Sequence, residues 1–197
     1  MRGAIVLAGG SSRRMGRPKA LVPVGGEPLV RRVATVAQAV ADEVVVASRG
    51  RLAKRIESVL PPGVRVVRDR RRIRTPLAGL EAGARASHAP YVAVLACDLP
   101  FLREGILRHL FRKARGGDAA VPQWPDGRIE PLAAVYRRFS LRAAVLASLR
   151  AGERSNVEMI SRLHRVRFVP TSALRNVDPR LRSFRNINTR ADLAALQ

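Results

Sequence analysis

Three kinds of side chain in this sequence stand where they could work on phosphate. A glycine-rich stretch, Gly9-Gly10-Ser11-Ser12-Arg13-Arg14-Met15-Gly16, follows directly on the apolar run AIVLA, and Lys19 comes shortly after it. Glycines let backbone N–H groups approach phosphate oxygens with no Cβ in the way. Arg14 can hold such oxygens bidentately and Lys19 can act as a point charge. The spacing is neither that of a G-x-x-x-x-G-K-[ST] loop nor that of a G-x-G-x-x-G turn. A second apolar run, YVAVLA, leads into Cys97-Asp98-Leu99-Pro100-Phe101. Asp98 there has two readings, a cap for the following turn or a hard oxygen ligand for Mg²⁺ on a triphosphate. A shared sheet edge with the glycine loop favours the metal. Asp69 follows a third apolar run, VRVV, inside a cluster of arginines.

The elements that must position these groups alternate between short apolar runs and amphipathic stretches, the mark of βαβ units. Strands are expected at 3–8, 43–48, 64–67, 91–96, 118–122 and 166–170, and within PLAAVYRR. Helices are expected at 28–40, 51–60, in LAGLEAGARAS, and at 103–115, 141–151 and 188–196, the last with Asn188 or Thr189 as N-cap. Asp126-Gly127 has the composition of a hairpin turn. The pattern predicts an α/β fold, a three-layer αβα sandwich on a Rossmann-like, mostly parallel sheet. With 197 residues and no linker or repeat, a single domain over 1–197 is expected. In such sheets ligands bind beyond the carboxyl ends of the strands, where the glycine loop and Asp98 must both lie.

With the elements in place, the motifs can be compared as strings. LAGGSSRRMG followed by Lys19 resembles the signature loop of nucleotidyltransferases that activate sugars and cofactors with nucleoside triphosphates. CDLPF resembles their D-x-P-F metal motif. Asp69 with TPLAGLEAG, the segment DGRIEPLAAVYRR, GERSN and FRNINTRADLAAL resembles the molybdenum cofactor guanylyltransferase family, and the likeness runs over almost the whole chain. It implies the nucleotide-diphospho-sugar transferase fold and transfer of GMP from GTP to molybdenum-bound molybdopterin, with pyrophosphate released. It also implies Lys19, Arg14 and Asp98 as catalytic groups, with Asp98 holding Mg²⁺. Nucleotide contacts are implied for Leu7, Ala8, Gly9, Gly10, Ser12, Lys19, Ser48, Asp69 and Asp98, and acceptor contacts for Pro100, Tyr136, Arg154, Asn156 and Asn188.

Four positions depart from that pattern. Pro18 stands where these enzymes often have Asp, Thr75 replaces a Gly and Arg190 a Pro. Ser48 occupies the place of an asparagine after the second strand, and a contact with the base is what the resemblance implies for it. By residue type alone, Arg154 and Asn156 near a helix start could hold an anion, whereas Asn186 and Asn188 read equally well as turn residues. Within the same fold the rival readings are a transferase using CTP and one with a cobamide or sugar phosphate as acceptor.

Composition narrows the classes further. The formal net charge is +22, and 34 of the 37 basic residues are arginine. Such a balance either attracts anionic partners or simply fills solvated helix faces. Nucleic acid is not the expected partner, because aromatics are 4% of the chain and no stacking or groove-reading motif is present. A molybdoenzyme or cofactor-delivery protein is compatible with catalysis. Cys97 is the only cysteine, which excludes disulfides and cysteine-built metal sites within one chain and reads as a packing residue. His88, His109 and His164 show no pairing that suggests a nucleophilic triad. No apolar run has membrane-spanning length, and Met1-Arg2-Gly3 leads straight into a strand pattern, so a cytoplasmic protein without membrane contact is expected.

Overall fold

The computed structural model describes residues 1–9, 17–69 and 75–194. The chain opens with β1 (Arg2–Leu7), and beyond the glycine loop a 3-10 turn, Lys19–Leu21, leads into a two-residue hairpin of β2 (Pro23–Val24) and β3 (Glu27–Pro28). Its turn residues Gly25 and Gly26 have φ of 58° and 80°, a left-handed pair that hairpin turns of this kind fill with glycine. Then come α1 (Leu29–Gln38), β4 (Glu43–Ser48), α2 (Gly50–Glu57), β5 (Val64–Arg68), α3 (Pro76–Ala86), β6 (Tyr91–Ala96) and α4 (Glu104–Ala114). The second half adds β7 (Ala119–Gln123), β8 (Ala133–Arg137), α5 (Arg138–Arg150), α6 (Asn156–Ser161), β9 (Val166–Pro170) and α7 (Arg190–Ala194).

The main sheet has seven strands in the order β5-β4-β1-β6-β8-β7-β9. Pairings of β1 with β4 and β6, of β4 with β5, and of β7 with β9 are parallel. Only β8 is reversed, antiparallel to both neighbours. The inner strands β1, β4, β6, β7 and β8 are apolar at most positions because both faces are covered. Along β1, Ala4 and Val6 join one core with Val30 and Val33 of α1, Ile56 of α2 and Ile106 and Leu110 of α4. Ile5 joins the other, with Leu77 and Leu80 of α3, Leu141 and Val145 of α5 and Met159 of α6. These are the three expected layers.

Local chemistry sets the helix that covers β1. Thr75 caps α3, its hydroxyl accepting from the Leu77 N–H at 3.3 Å, and Pro76 sits at the first helical position. Small residues then let α3 press onto the sheet: a β-carbon at Gly83 would overlap Ile5 Cγ2, and one at Gly79 would lie 3.1 Å from Leu7 Cδ2. Three expectations need adjustment. The hairpin of β2 and β3 and the short α6 carry too little periodicity to be read in advance. Helix α5 starts at Arg138, directly after β8, rather than at Leu141. The last helix begins at Arg190, with Thr189 as its N-cap: its hydroxyl accepts from the Asp192 N–H while Asp192 accepts from the Thr189 N–H. Among the described residues no helix is long and apolar enough to cross a membrane.

Candidate active site

Strands β1, β4, β5 and β6 all point their carboxyl ends at one edge, and the strand order reverses between β1 and β6. That reversal opens a crevice in which open α/β sheets place ligands. The strand ends are tied together there. Ala8 N–H donates to Ala47 O (2.9 Å), Cys97 N–H to Leu7 O (3.2 Å) and the Ser48 hydroxyl to Ala8 O (3.2 Å). Leu7 is partly covered, Ala8 is buried, and Gly9 emerges into solvent. The expected contacts at Gly10, Ser12 and Arg14 lie outside the described residues.

Over the crevice stands a three-residue cluster. The Lys19 ammonium donates to Asp98 Oδ2 in a short ion pair and to Asn188 Oδ1 at 2.7 Å. Each member is held by its own element. Lys19 rides on a 3-10 turn closed by Val22 N–H to Lys19 O at 3.0 Å and anchored by buried Ala20. Asp98 lies two residues past the end of β6. Asn188 is set by its neighbour: Ile187 packs against Val22 and Leu29, and its N–H donates to Asp98 O at 3.1 Å. Asp192 Oδ2 accepts from the Asn188 N–H at 2.7 Å. The N-I-N string is therefore an apolar anchor with an amide carried on it. The side chains of Lys19 and Asp98 are 18% and 17% exposed, so their charges are screened by little water yet open to a ligand.

A second pair lies on the β4–β5 side. Arg49, just after β4, holds Asp69, just after β5, with Nε 3.5 Å from Oδ2. The Arg49 stem also runs beside Gly9, where a β-carbon would meet Cγ at 3.6 Å. Sequence reasoning passed over Arg49; an arginine next to Ser48 at a strand's carboxyl end was the available signal. Ser48 itself requires a correction. It is fully buried and gives its proton to Ala8 O, so it braces two strand ends and leaves Arg49 as the side chain facing outward.

One acceptor assignment is corrected as well. Tyr136 is fully buried in the core beneath α3 and α5, its hydroxyl donates to Pro131 O at 2.9 Å, and burial pushes its ionisation well up. It holds the start of β8 in place from within the core. In the loop that carries Arg154 and Asn156, Glu158 Oε2 accepts from the N–H groups of Arg154 (3.3 Å) and Ser155 (2.9 Å), completing a capping box that takes up these backbone donors, while the Arg154 side chain stays exposed. The Thr75 hydroxyl donates to Arg154 O at 2.9 Å, so this loop is hooked to the start of α3. Pro100 is buried, accepts from Arg32 Nε at 2.9 Å, and lines a groove of about 380 Å³ with Phe101 and Arg182. Cys97 is buried and its thiol is pushed up to about 12, by burial first and then by the Asp98 charge, as suits a packing residue.

On the far side of Asp98 the reversed β8 brings further groups to the same edge. Trp124 comes directly after β7, and its Nε1–H donates to Glu130 Oε1 at 2.7 Å. Burial pushes the Glu130 carboxyl upward, against the lowering effect of that hydrogen bond.

Among the described residues no group of three His, Cys, Asp or Glu side chains gathers as a metal cage. Asp98 alone suits Mg²⁺, which takes one or two carboxylates and completes its shell with water and substrate phosphates.

The chain matches the family model described as the MobA-like NTP transferase domain over residues 4–166. It is 38% identical to a probable molybdenum cofactor guanylyltransferase of Methanosarcina acetivorans, over 99% of this chain and 89% of that protein. A probable molybdenum cofactor guanylyltransferase of Natronomonas pharaonis is also 38% identical, over 98% of this chain and 95% of its own length. Among solved structures, molybdopterin-guanine dinucleotide biosynthesis protein A from Archaeoglobus fulgidus superposes with a TM-score of 0.83 at 30% identity, covering 100% of this chain and 96% of that one.

Proposed function

Because the chain belongs to the MobA-like NTP transferase family and is a nucleotidyltransferase, we propose that it joins GMP from GTP to the terminal phosphate of molybdenum-bound molybdopterin. A phosphate oxygen of the acceptor attacks the α-phosphorus of GTP. A P–O–P bond forms, the bond between the α-phosphorus and its bridging oxygen to the β-phosphate breaks, and pyrophosphate leaves. The products are the guanine dinucleotide form of the cofactor and pyrophosphate. The observation that carries this reading is the Lys19–Asp98–Asn188 cluster at the reversal of strand order.

Two polyanions must meet in line, so charge neutralisation and positioning outweigh covalent help from the protein. The Lys19 ammonium stabilises charge on the phosphates as pyrophosphate departs, and Asn188 keeps that ammonium on the reaction side of β6. Asp98 would hold Mg²⁺, which when bound neutralises and polarises the triphosphate oxygens. Arg49 and Asp69 stand on the nucleoside side, over β4 and β5. The acceptor lies on the side of β8 and β7, within one domain that spans residues 1–197. The net charge of +22 favours the approach of both substrates.

The test is pyrophosphate release with Mg²⁺ and molybdenum-loaded molybdopterin, comparing GTP, CTP, ATP and UTP. Release with GTP, dependent on the pterin, is expected. Release with CTP would move the protein to cytidylyl transfer, and silence with all four would overturn the acceptor.

A further inference from the structure

Glu130 is out of keeping with its surroundings. At an edge built to receive phosphates, on a chain of net charge +22, a carboxylate is held half-buried and in one orientation. Its place follows from the reversal of β8. Ala96 N–H donates to Leu132 O at 2.8 Å, so the residues leading into β8 lie beside the end of β6, next to Cys97 and Asp98. The Trp124 indole fixes Oε1 and is itself wedged, edge-on to Phe184 at 6.0 Å between ring centroids, with the Arg128 guanidinium 5.6 Å over its other contact surface. Phe184 belongs to the segment that carries Asn188 to Lys19. Arg128 is bonded through Nε to Asp126 at 2.6 Å, and its charge lowers the Glu130 carboxyl by less than burial raises it. Among the described residues no hydrogen bond or ion pair reaches Glu130 Oε2.

A fixed carboxylate with an unpartnered oxygen selects a donor. Phosphates carry none and would be repelled. A pterin carries two side by side, the 2-amino group and the ring N3–H, an edge that matches a carboxylate as the same edge of guanine does. We propose that Glu130, oriented by Trp124, recognises the aminopyrimidine edge of the acceptor's pterin. This rests on the transfer to molybdopterin proposed above. Glu130 sets which acceptor is taken, and Trp124 is a positioning residue that keeps its carboxylate aimed.

The experiment deletes the contact from each side. The calorimetric Kd of a pterin bearing a 6-methyl phosphate is compared with that of its 2-oxo counterpart, for the wild type and for Glu130→Gln. The wild type is expected to bind the 2-amino ligand roughly 10-fold or more tightly than the 2-oxo one, as for a hydrogen bond to a charged group. Glu130→Gln should bind the 2-amino ligand about 10-fold more weakly and lose the preference, with the KM for GTP within about twofold of the wild type. Trp124→Phe, which keeps the ring and removes the N–H, should fall between the two. A Glu130→Gln protein that retains the wild-type preference overturns the proposal, and so does one that loses GTP binding in parallel. If the wild type discriminates between the two pterins as expected but releases no pyrophosphate from GTP with molybdopterin, the transfer reading fails and the role of Glu130 stands.

Discussion

Replacing Lys19 by methionine removes one charge while keeping a stem of similar length on the 3-10 turn. Lys19 touches both Asp98 and Asn188, so the change withdraws a cation from a site where its side chain is only 18% exposed. At an effective dielectric of about 20, a unit charge about 4 Å away contributes roughly 4 kcal/mol. Part of that acts equally on bound GTP and on the transition state and appears in KM alone. The remainder, on charge that grows as pyrophosphate leaves, is expected to lower kcat by roughly 10²- to 10³-fold, like the loss of one preorganised donor. Asp98 loses its cationic partner, which should cost about 1–3 kcal/mol of stability, read as a lower Tm in thermal unfolding. Steady-state pyrophosphate release with GTP and molybdenum-loaded molybdopterin measures the rate. Because Lys19 and Asp98 act as a unit, Lys19→Met combined with Asp98→Asn should be little slower than the slower single variant. A folded Lys19→Met enzyme within threefold of the wild-type kcat would refute the reasoning, as would fully multiplicative losses in the double variant.

Two further outcomes follow from the packing around the site. Gly83→Ala drives a β-carbon into Ile5 Cγ2 and should lower stability by about 1–3 kcal/mol despite the better helix propensity of alanine, seen as a reduced urea midpoint; an unchanged midpoint would show that α3 is not held against β1 as described. The Cys97 thiol, pushed up to about 12 by burial, stays protonated between pH 6 and about 9, so a disulfide reagent such as DTNB should label the native protein far more slowly than the denatured one across that window.

What the sequence alone determined is what depends on neighbours along the chain. Apolar runs ended by glycine, and helices with apolar residues at a 3.6 spacing, made the αβα architecture legible. A loop that leaves a strand lies at that strand's carboxyl end, so Lys19 and Asp98 share an edge once βαβ crossovers make β1 and β6 parallel. What tertiary structure decided is which side chains meet across that edge and which are turned inward. Asn188 is 169 positions from Lys19, and the two meet only because Ile187 docks on Val22 and Leu29. Arg49 meets Asp69 because β5 lies beside β4. Tyr136 and Ser48 have the residue types of a binding site, yet strand order and pleat point both inward, where their hydroxyls serve the backbone. The reversal of β8 mattered most, since alternation along a strand specifies its faces and leaves its direction open. Had β8 run parallel to its neighbours, Glu130 would sit at the opposite end of the sheet, away from Asp98.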